Sequence, residues 1–534
     1  MKKRIIYSLL ISFAFAFSGC SLDENPADQM PENEAYKSPV LIYLNTVANL
    51  YTEIGGSGGG QGLAGPDRGI YDLNTFTADE ALIPTRGGDW FDGGLWQDVF
   101  KHNWKTDNSL VKDSWNYLYR VIGKTNQSLD KLNSLIEADP ENKFLPVYKA
   151  EVRAVRAMYY YYLMDLYGRI PIVETATTKI SDVTQSDRSA VFAFVKKELE
   201  ESLPFLSNAN SSKKGEYYGR LTRPVAFYLM AKLALNAQVY ADDNWTDNDG
   251  KPNGTASFSI GGVTKTPWEA AIAYCDSITN LGYALESDFS KNFSVTNETS
   301  VENIFVIPMD PVLFSARNMN LVRSRHYAHA KAYGQDGWNG ASATKEALAI
   351  FRKGSVDPRM EKTYFLGKVY GPDGSPIMDD KNELEYKPDA IALDLSGSTN
   401  EKTAGARMAK YEFDLNAQSG GQLVHNDWVL YRYADVLLMK SEAMTRAGLN
   451  GDADLQKVRG RAGAAARAAT LDNLLDERLL EFAWEGQRRQ DLIRFGKFHQ
   501  PISDRPATAA FRTVFPIPAD VLSLNSNLTQ NTGY

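Results

Sequence analysis

The chain has 534 residues, with 66 acidic against 58 basic side chains and a formal charge of −8. That balance excludes nucleic acid as a partner, because phosphate binding needs a basic face. Cysteine is confined to Cys20 and Cys275, so stability rests on the large core that a chain of this length can bury.

The chain opens with Lys2, Lys3 and Arg4, runs through apolar Ile5 to Phe17, and reaches Ser18-Gly19-Cys20. Positive charge, then grease, then small residues is the order of a secretory signal. The apolar run falls short of the roughly 20 residues that span a bilayer. Residues 1–19 are therefore read as a signal peptide, and their removal takes three cations and moves the charge from −8 to −11. The cysteine at the cleavage point resembles the lipobox of bacterial lipoproteins, in which Cys20 would carry the lipid. Cys275 is then left alone, and no intrachain disulfide forms. Residues 20–39, polar and containing Pro26 and Pro31, read as the lipidated N-terminus and its tether. Residues 40–534 form the folded domain.

Within that domain helical blocks alternate with long loops. Over Glu151–Tyr167, Val152, Val155, Tyr159, Tyr162, Leu163 and Leu166 share one face at helical spacing. Gly168 stands where a C-terminal cap belongs, and Pro171 blocks continuation. Thr222 is a candidate N-cap for a helix over Val225–Tyr240, with Pro224 early enough to be tolerated. Further helices are predicted over Val429–Arg446 and Leu471–Phe495. The stretches 53–104, 242–266, 285–345 and 365–425 are irregular, and loops of such length are usually functional or disordered.

Several chemical motifs fail on context. Ser57 sits in a G-x-S-x-G match over 55–59, but no strand leads into it as a nucleophile elbow requires. The glycines of 60–65 imitate a dinucleotide fingerprint and are followed by Pro66 instead of a helix. His326 and His329 lack a third ligand at metal-site spacing. Adjacent acids such as Asp79–Glu80 and Asp379–Asp380 do not define a catalytic separation. No catalytic residue, metal site or cofactor is assigned.

The blocks EVRAVRAMYYYYLMDLYGRIPIV (151–173), RLTRPVAFYLMAKLALNAQVYADDNW (220–245), YRYADVLLMKSEAMTRAG (431–448), VRGRAG (458–463) and DERLLEFAWEGQRRQDLIRFGKF (476–498), with the closing FPIPADVLSLNSNLTQNTGY, resemble in order the SusD/RagB family of outer-membrane nutrient-binding lipoproteins of Bacteroidetes. The resemblance implies a mainly α fold: tetratricopeptide-like helix pairs in a superhelical scaffold with a loop-rich ligand-binding face. It implies a lid on a SusC-like TonB-dependent transporter that delivers glycans or, in the RagB branch, peptides. It also makes Asp23 and Glu24 resemble a surface-export signal. The charges Glu477, Glu481, Glu485, Arg488 and Arg489 lie among apolar residues and are expected to pair, locking helices together.

A sugar offers an apolar C–H face and a rim of hydroxyls, and is met by an aromatic plane and a few fixed polar groups. Residues 84–104 supply Trp90, Phe91 and Trp96 among glycines, with Arg86, Asp89 and Asp92 for hydrogen bonding. A second loop, 333–339, supplies Tyr333, Asp336 and Trp338. For Trp90, Trp96 and Trp338 platform and core stand as open alternatives. Trp104 and Trp115, near a helical stretch, are read as core.

Overall fold

A computed structural model describes residues 32–56, 60–65, 68–247, 256–314 and 316–534. Cys20, the signal peptide, most of the tether and Ser57 lie outside them. The chain divides into two compact units at Asn45 and Thr46. In the first, Ser38 caps a short helix, Pro39–Tyr43, by accepting from the Leu41 amide. The second unit carries the rest of the fold.

Helix makes up 47% of the structure, well above the roughly 30–35% of ordinary globular proteins. Helix α1, Ser109–Ala138, starts where Asn108 accepts the amides of Leu110 and Val111. Its buried stripe, including Leu118, Val121, Ile122, Leu129 and Leu132, packs on α2, Phe144–Tyr167. The hydroxyls of Tyr117 and Tyr159 meet at 2.8 Å across this pair. Next comes α3, Arg188–Ser202, whose Glu198 receives Arg156 of α2 at 2.6 Å. A second run stacks α4, Arg223–Leu235, on α5, Pro267–Asn280, and α5 on α6, Tyr433–Arg446. Helices α7, Asp452–Arg461, and α8, Leu471–Phe482, pack on α6, and α9, Arg488–Arg494, packs on α8. This is the tetratricopeptide-like arrangement of neighbouring helix pairs.

Strand is sparse among the described residues. The longest ladder pairs β1, Asn303–Ile307, with β2, Trp428–Arg432, antiparallel in the register Trp428 opposite Ile307. Three expected helices change. Residues 429–432 are strand, because Trp-Val-Leu-Tyr is a β-prone run with a buried partner to join. Leu471–Phe495 breaks between α8 and α9, where Trp484 and Gly486 both take φ of +68°. Val225–Tyr240 starts at Arg223 and is interrupted at Asn236. Thr222 stands at the N-cap, but its side chain makes no capping bond.

The loop layer is built of short turns and two-residue ladders over small cores of its own. Leu82, Phe100, Ile391, Leu393, Leu395 and Ala404 form one. Val369, Ile377, Leu384 and Tyr386 form another. These clusters give irregular backbone the apolar support that a scaffold helix would otherwise provide.

Candidate functional site

The first loop is anchored before it reaches its aromatics. Ala81 and Leu82 pair with Ala343 and Ser342, and the Thr85 amide donates to the Leu393 carbonyl at 3.0 Å. Arg86 then turns inward. Its buried guanidinium donates to the carbonyls of Glu401 and Ala404 at 2.7 and 3.0 Å and to the Ser342 hydroxyl at 2.8 Å. Arg407 gathers the same loops from another side, reaching Asn339 Oδ1 and the Ala404 carbonyl. Irregular loops leave carbonyls without ladder partners, and a buried guanidinium has the donors to satisfy several at once. Burial, with the charge of Arg407 added, holds Arg86 well below the usual arginine range. The expectation that Arg86 hydrogen-bonds ligand is therefore corrected: it is buried and both its terminal nitrogens are committed to the loops.

Beyond Arg86 a tight turn to Asp89 closes with reciprocal backbone bonds of 2.9 and 3.0 Å. Trp90 follows in a left-handed conformation, φ +62°. Its indole Nε1 donates to the Trp338 carbonyl at 2.8 Å, which brings the two predicted loops together. The indole lies on Gly340, where a β-carbon would come within 2.6 Å of the ring. Both Trp90 and Trp338 are half-buried. Phe91 beside them is 51% exposed, and Tyr327 is 41% exposed. The Tyr327 hydroxyl donates to Asp89 Oδ2 at 2.7 Å; burial, then that bond, pushes its phenol up to about 12, so it remains a neutral donor. Asp92 accepts from Arg68 and from the Trp96 indole, both at 2.9 Å.

Trp96 itself is corrected to core. It is 1% exposed, meets Phe76 edge-on at 5.8 Å and lies beneath the Arg323 guanidinium. The short helix Leu95–Phe100 turns it inward, and the Phe76 side is apolar. Trp104 and Trp115 are core as read. Tyr333 is half-buried with its ring stacked on Phe413 at 3.8 Å, and its hydroxyl donates to the Tyr370 carbonyl. Asp336 is exposed beside Gly420, to whose carbonyl its amide donates at 2.9 Å. The contacts of these two residues join the Phe413 and Gly420 loops, away from Trp90. His326 and His329 serve the fold: His326 Nδ1 accepts the Ala328 amide, and His329 Nδ1 meets the Tyr386 hydroxyl at 3.0 Å.

The structure thus assembles Asp89, Trp90 and Trp338 from the predicted set and adds Tyr327 and Arg68. Neither addition carried a local signal, since both join the face through long-range contacts. Non-glycine residues with positive φ gather here: Arg68, Trp90, Asp92 and Asn339. Such backbone persists only where its surroundings over-determine it, and it concentrates at binding sites. The arrangement presents aromatic surface flanked by fixed donors and acceptors. Its carboxylates already accept hydrogen bonds, Asp89 from Tyr327 and Asp92 from Arg68 and Trp96.

A family model described as "SusD family" matches residues 245–534. A second, described as "Starch-binding associating with outer membrane", matches residues 87–235. The chain is 23% identical over 519 residues to the "Starch-binding protein SusD" of Bacteroides thetaiotaomicron, covering 89% of this chain and 87% of that protein. A "SusD-like protein" of Bacteroides ovatus is 20% identical over 468 residues, covering 81% and 78%. Among solved structures, a "Laminarin binding SusD-like protein" superposes with a TM-score of 0.68 at 20% identity, covering 93% of this chain and all of that one. Surface glycan-binding protein A from Bacteroides thetaiotaomicron in complex with laminarihexaose gives 0.69 at 20% identity, covering 92% and 98%.

Proposed function

Since the chain belongs to the SusD family, we propose that it is a glycan-capturing lipoprotein of the outer membrane, anchored through Cys20 and facing the exterior. It takes an oligo- or polysaccharide on the face formed by Trp90, Trp338, Phe91 and Tyr327. It then passes the glycan to a partner SusC-like TonB-dependent transporter and does no chemistry on it, with no cofactor. The observation that carries this reading is the bond from the Trp90 indole to the Trp338 carbonyl, which joins two aromatic-bearing loops where both tryptophans are half-buried and the backbone is strained. An indole plane suits a sugar's C–H face, and Asp89, Arg68 and the Tyr327 hydroxyl suit its rim. Relatives described as starch-binding and laminarin-binding support glycan over peptide.

The test is affinity electrophoresis of the lipid-free mature chain through gels holding starch, laminarin and other soluble polysaccharides, with a peptide mixture titrated separately. Retardation by at least one glycan, recovered unshortened in chromatography, is the expected outcome. Peptide binding without glycan binding would replace this reading with the lid of a peptide importer, and shortened sugars would reopen catalysis.

A further inference from the structure

Far from the loop face in sequence, a cavity of about 220 Å³ opens between the start of α3, the segment after α4 and the C-terminal segment after α9. Its wall includes Arg188, Gln238, Asp242, Trp245, His499 and Thr513. At roughly 30 Å³ per water it holds about seven, the room of one pyranose ring. It shares no residue with the aromatic face.

Two buried donors in this wall are under-used. Arg188 is buried, with its guanidinium 4.7 Å over the Trp245 ring. Its Nε and Nη2 both donate to one acceptor, the Asp242 carbonyl, at 2.8 and 2.6 Å. The Asp242 carboxylate stands off at 3.8 Å. That leaves Nη1 without a hydrogen-bond partner among the described residues. Other buried arginines nearby are paired closely: Arg494 with Glu442 at 2.7 Å and Arg489 with Asp165 at 2.8 Å. Burial pulls Arg188 down to about 10, which still leaves it cationic. The second donor is the indole Nε1 of Trp245, buried and without a partner among the described residues. The indole is held in place, since its six-membered ring abuts Gly168, where a β-carbon would come within 2.8 Å. His499 is already satisfied by Thr508 and Thr513. Buried donors are normally paired, by protein or by something bound.

We propose that this cavity is a second ligand site, which takes the carboxylate of a small sugar acid between Arg188 Nη1 and Trp245 Nε1. A planar carboxylate matches one guanidinium edge and an N–H donor, and the sugar ring fills the remaining volume beside Gln238 at the open rim. The site is independent of the aromatic glycan face and does not rest on it.

The test is calorimetric titration of the lipid-free mature chain with glucuronate, glucose and inorganic phosphate. Glucuronate binds one to one, while glucose binds at least about tenfold more weakly for want of the charge-assisted bonds. Trp245→Phe removes only the indole donor while keeping an aromatic ring, and should weaken glucuronate by about tenfold while leaving polysaccharide retardation unchanged. A crystal of the unaltered chain soaked in glucuronate should show the sugar acid against Arg188 and Trp245, which keeps the test open if the variant folds poorly. The proposal is overturned if glucuronate does not bind, if glucose or phosphate binds as well, or if the soaked molecule lies elsewhere. Unchanged glucuronate affinity in a folded Trp245→Phe also overturns it.

Discussion

Trp90 and Trp96 are near neighbours in sequence and 6.2 Å apart between ring centroids, yet only Trp90 keeps part of its surface in water. Sequence shows aromatics among glycines and marks the loop as a candidate face. It does not show which ring turns inward, because that depends on Phe76 and Arg323, which only the fold brings beneath Trp96. Trp96→Ala should therefore act as a core deletion, costing about 3–5 kcal/mol in a urea melt; a loss under about 1 kcal/mol would contradict its placement. Glu80 makes a pH prediction. It is buried, its carboxyl group accepts the Trp484 amide at 3.1 Å and no other donor among the described residues, and burial pushes that carboxyl up to about 8. A raised carboxyl favours the protonated folded state, so its contribution is full below the ordinary value of 4.5 and is lost as pH rises through about 8. Glu80→Gln should then gain in melting temperature on the unaltered chain between about pH 5 and about pH 9. An equal difference at both ends would contradict the assignment.

Among the elements, the expectation that charges near the C-terminal core lock helices together has a concrete form. Glu481 of α8 receives Arg432 at 2.5 Å, Arg359 at 2.7 Å and Arg461 at still closer range. Arg432 also reaches Glu302 and Glu485, both at 2.8 Å, so β2, α7 and α8 converge on one buried carboxylate. Glu477 pairs with Arg359 and Arg459, Arg488 with Asp79 and Arg489 with Asp165. Glu481→Ala removes the carboxylate that three buried guanidiniums share, leaving the network short of one negative charge, and should cost about 3–5 kcal/mol, read from the denaturant midpoint; an unchanged midpoint would show that the network is dispensable. Helix α2 was legible because its apolar face and Gly168 stop agree. The strand at 428–432 and the break at 483–487 were not: an apolar run leads from the strand into α6, apolar residues recur at helical spacing on both sides of the break, and long-range contacts decide both. Helix α1, the longest, escaped the reading, although Asn108 caps it and its buried stripe is regular.

At the scale of the whole molecule, the helical scaffold could be read from ordered sequence blocks, while the proposed glycan face arises where loops from residues 84–104 and 320–340 meet. The anchor has its own test. Cys20→Ala should release the chain from the membrane fraction, and a variant that stays in the outer membrane of cells lacking the transporter would contradict lipidation there. The central claim is that Trp90 is a binding plane and not a structural prop. Stacking on an indole buries apolar area worth roughly 25 cal/mol per Å², and one good platform accounts for about 1.5–3 kcal/mol. The most direct measurement titrates the glycan that retards the chain most into the unaltered chain and into Trp90→Ala, with melting curves on both. A fall in affinity of about ten- to a hundredfold at a nearly constant melting temperature is the predicted result; unchanged affinity, or a melting temperature that collapses with it, would contradict the account.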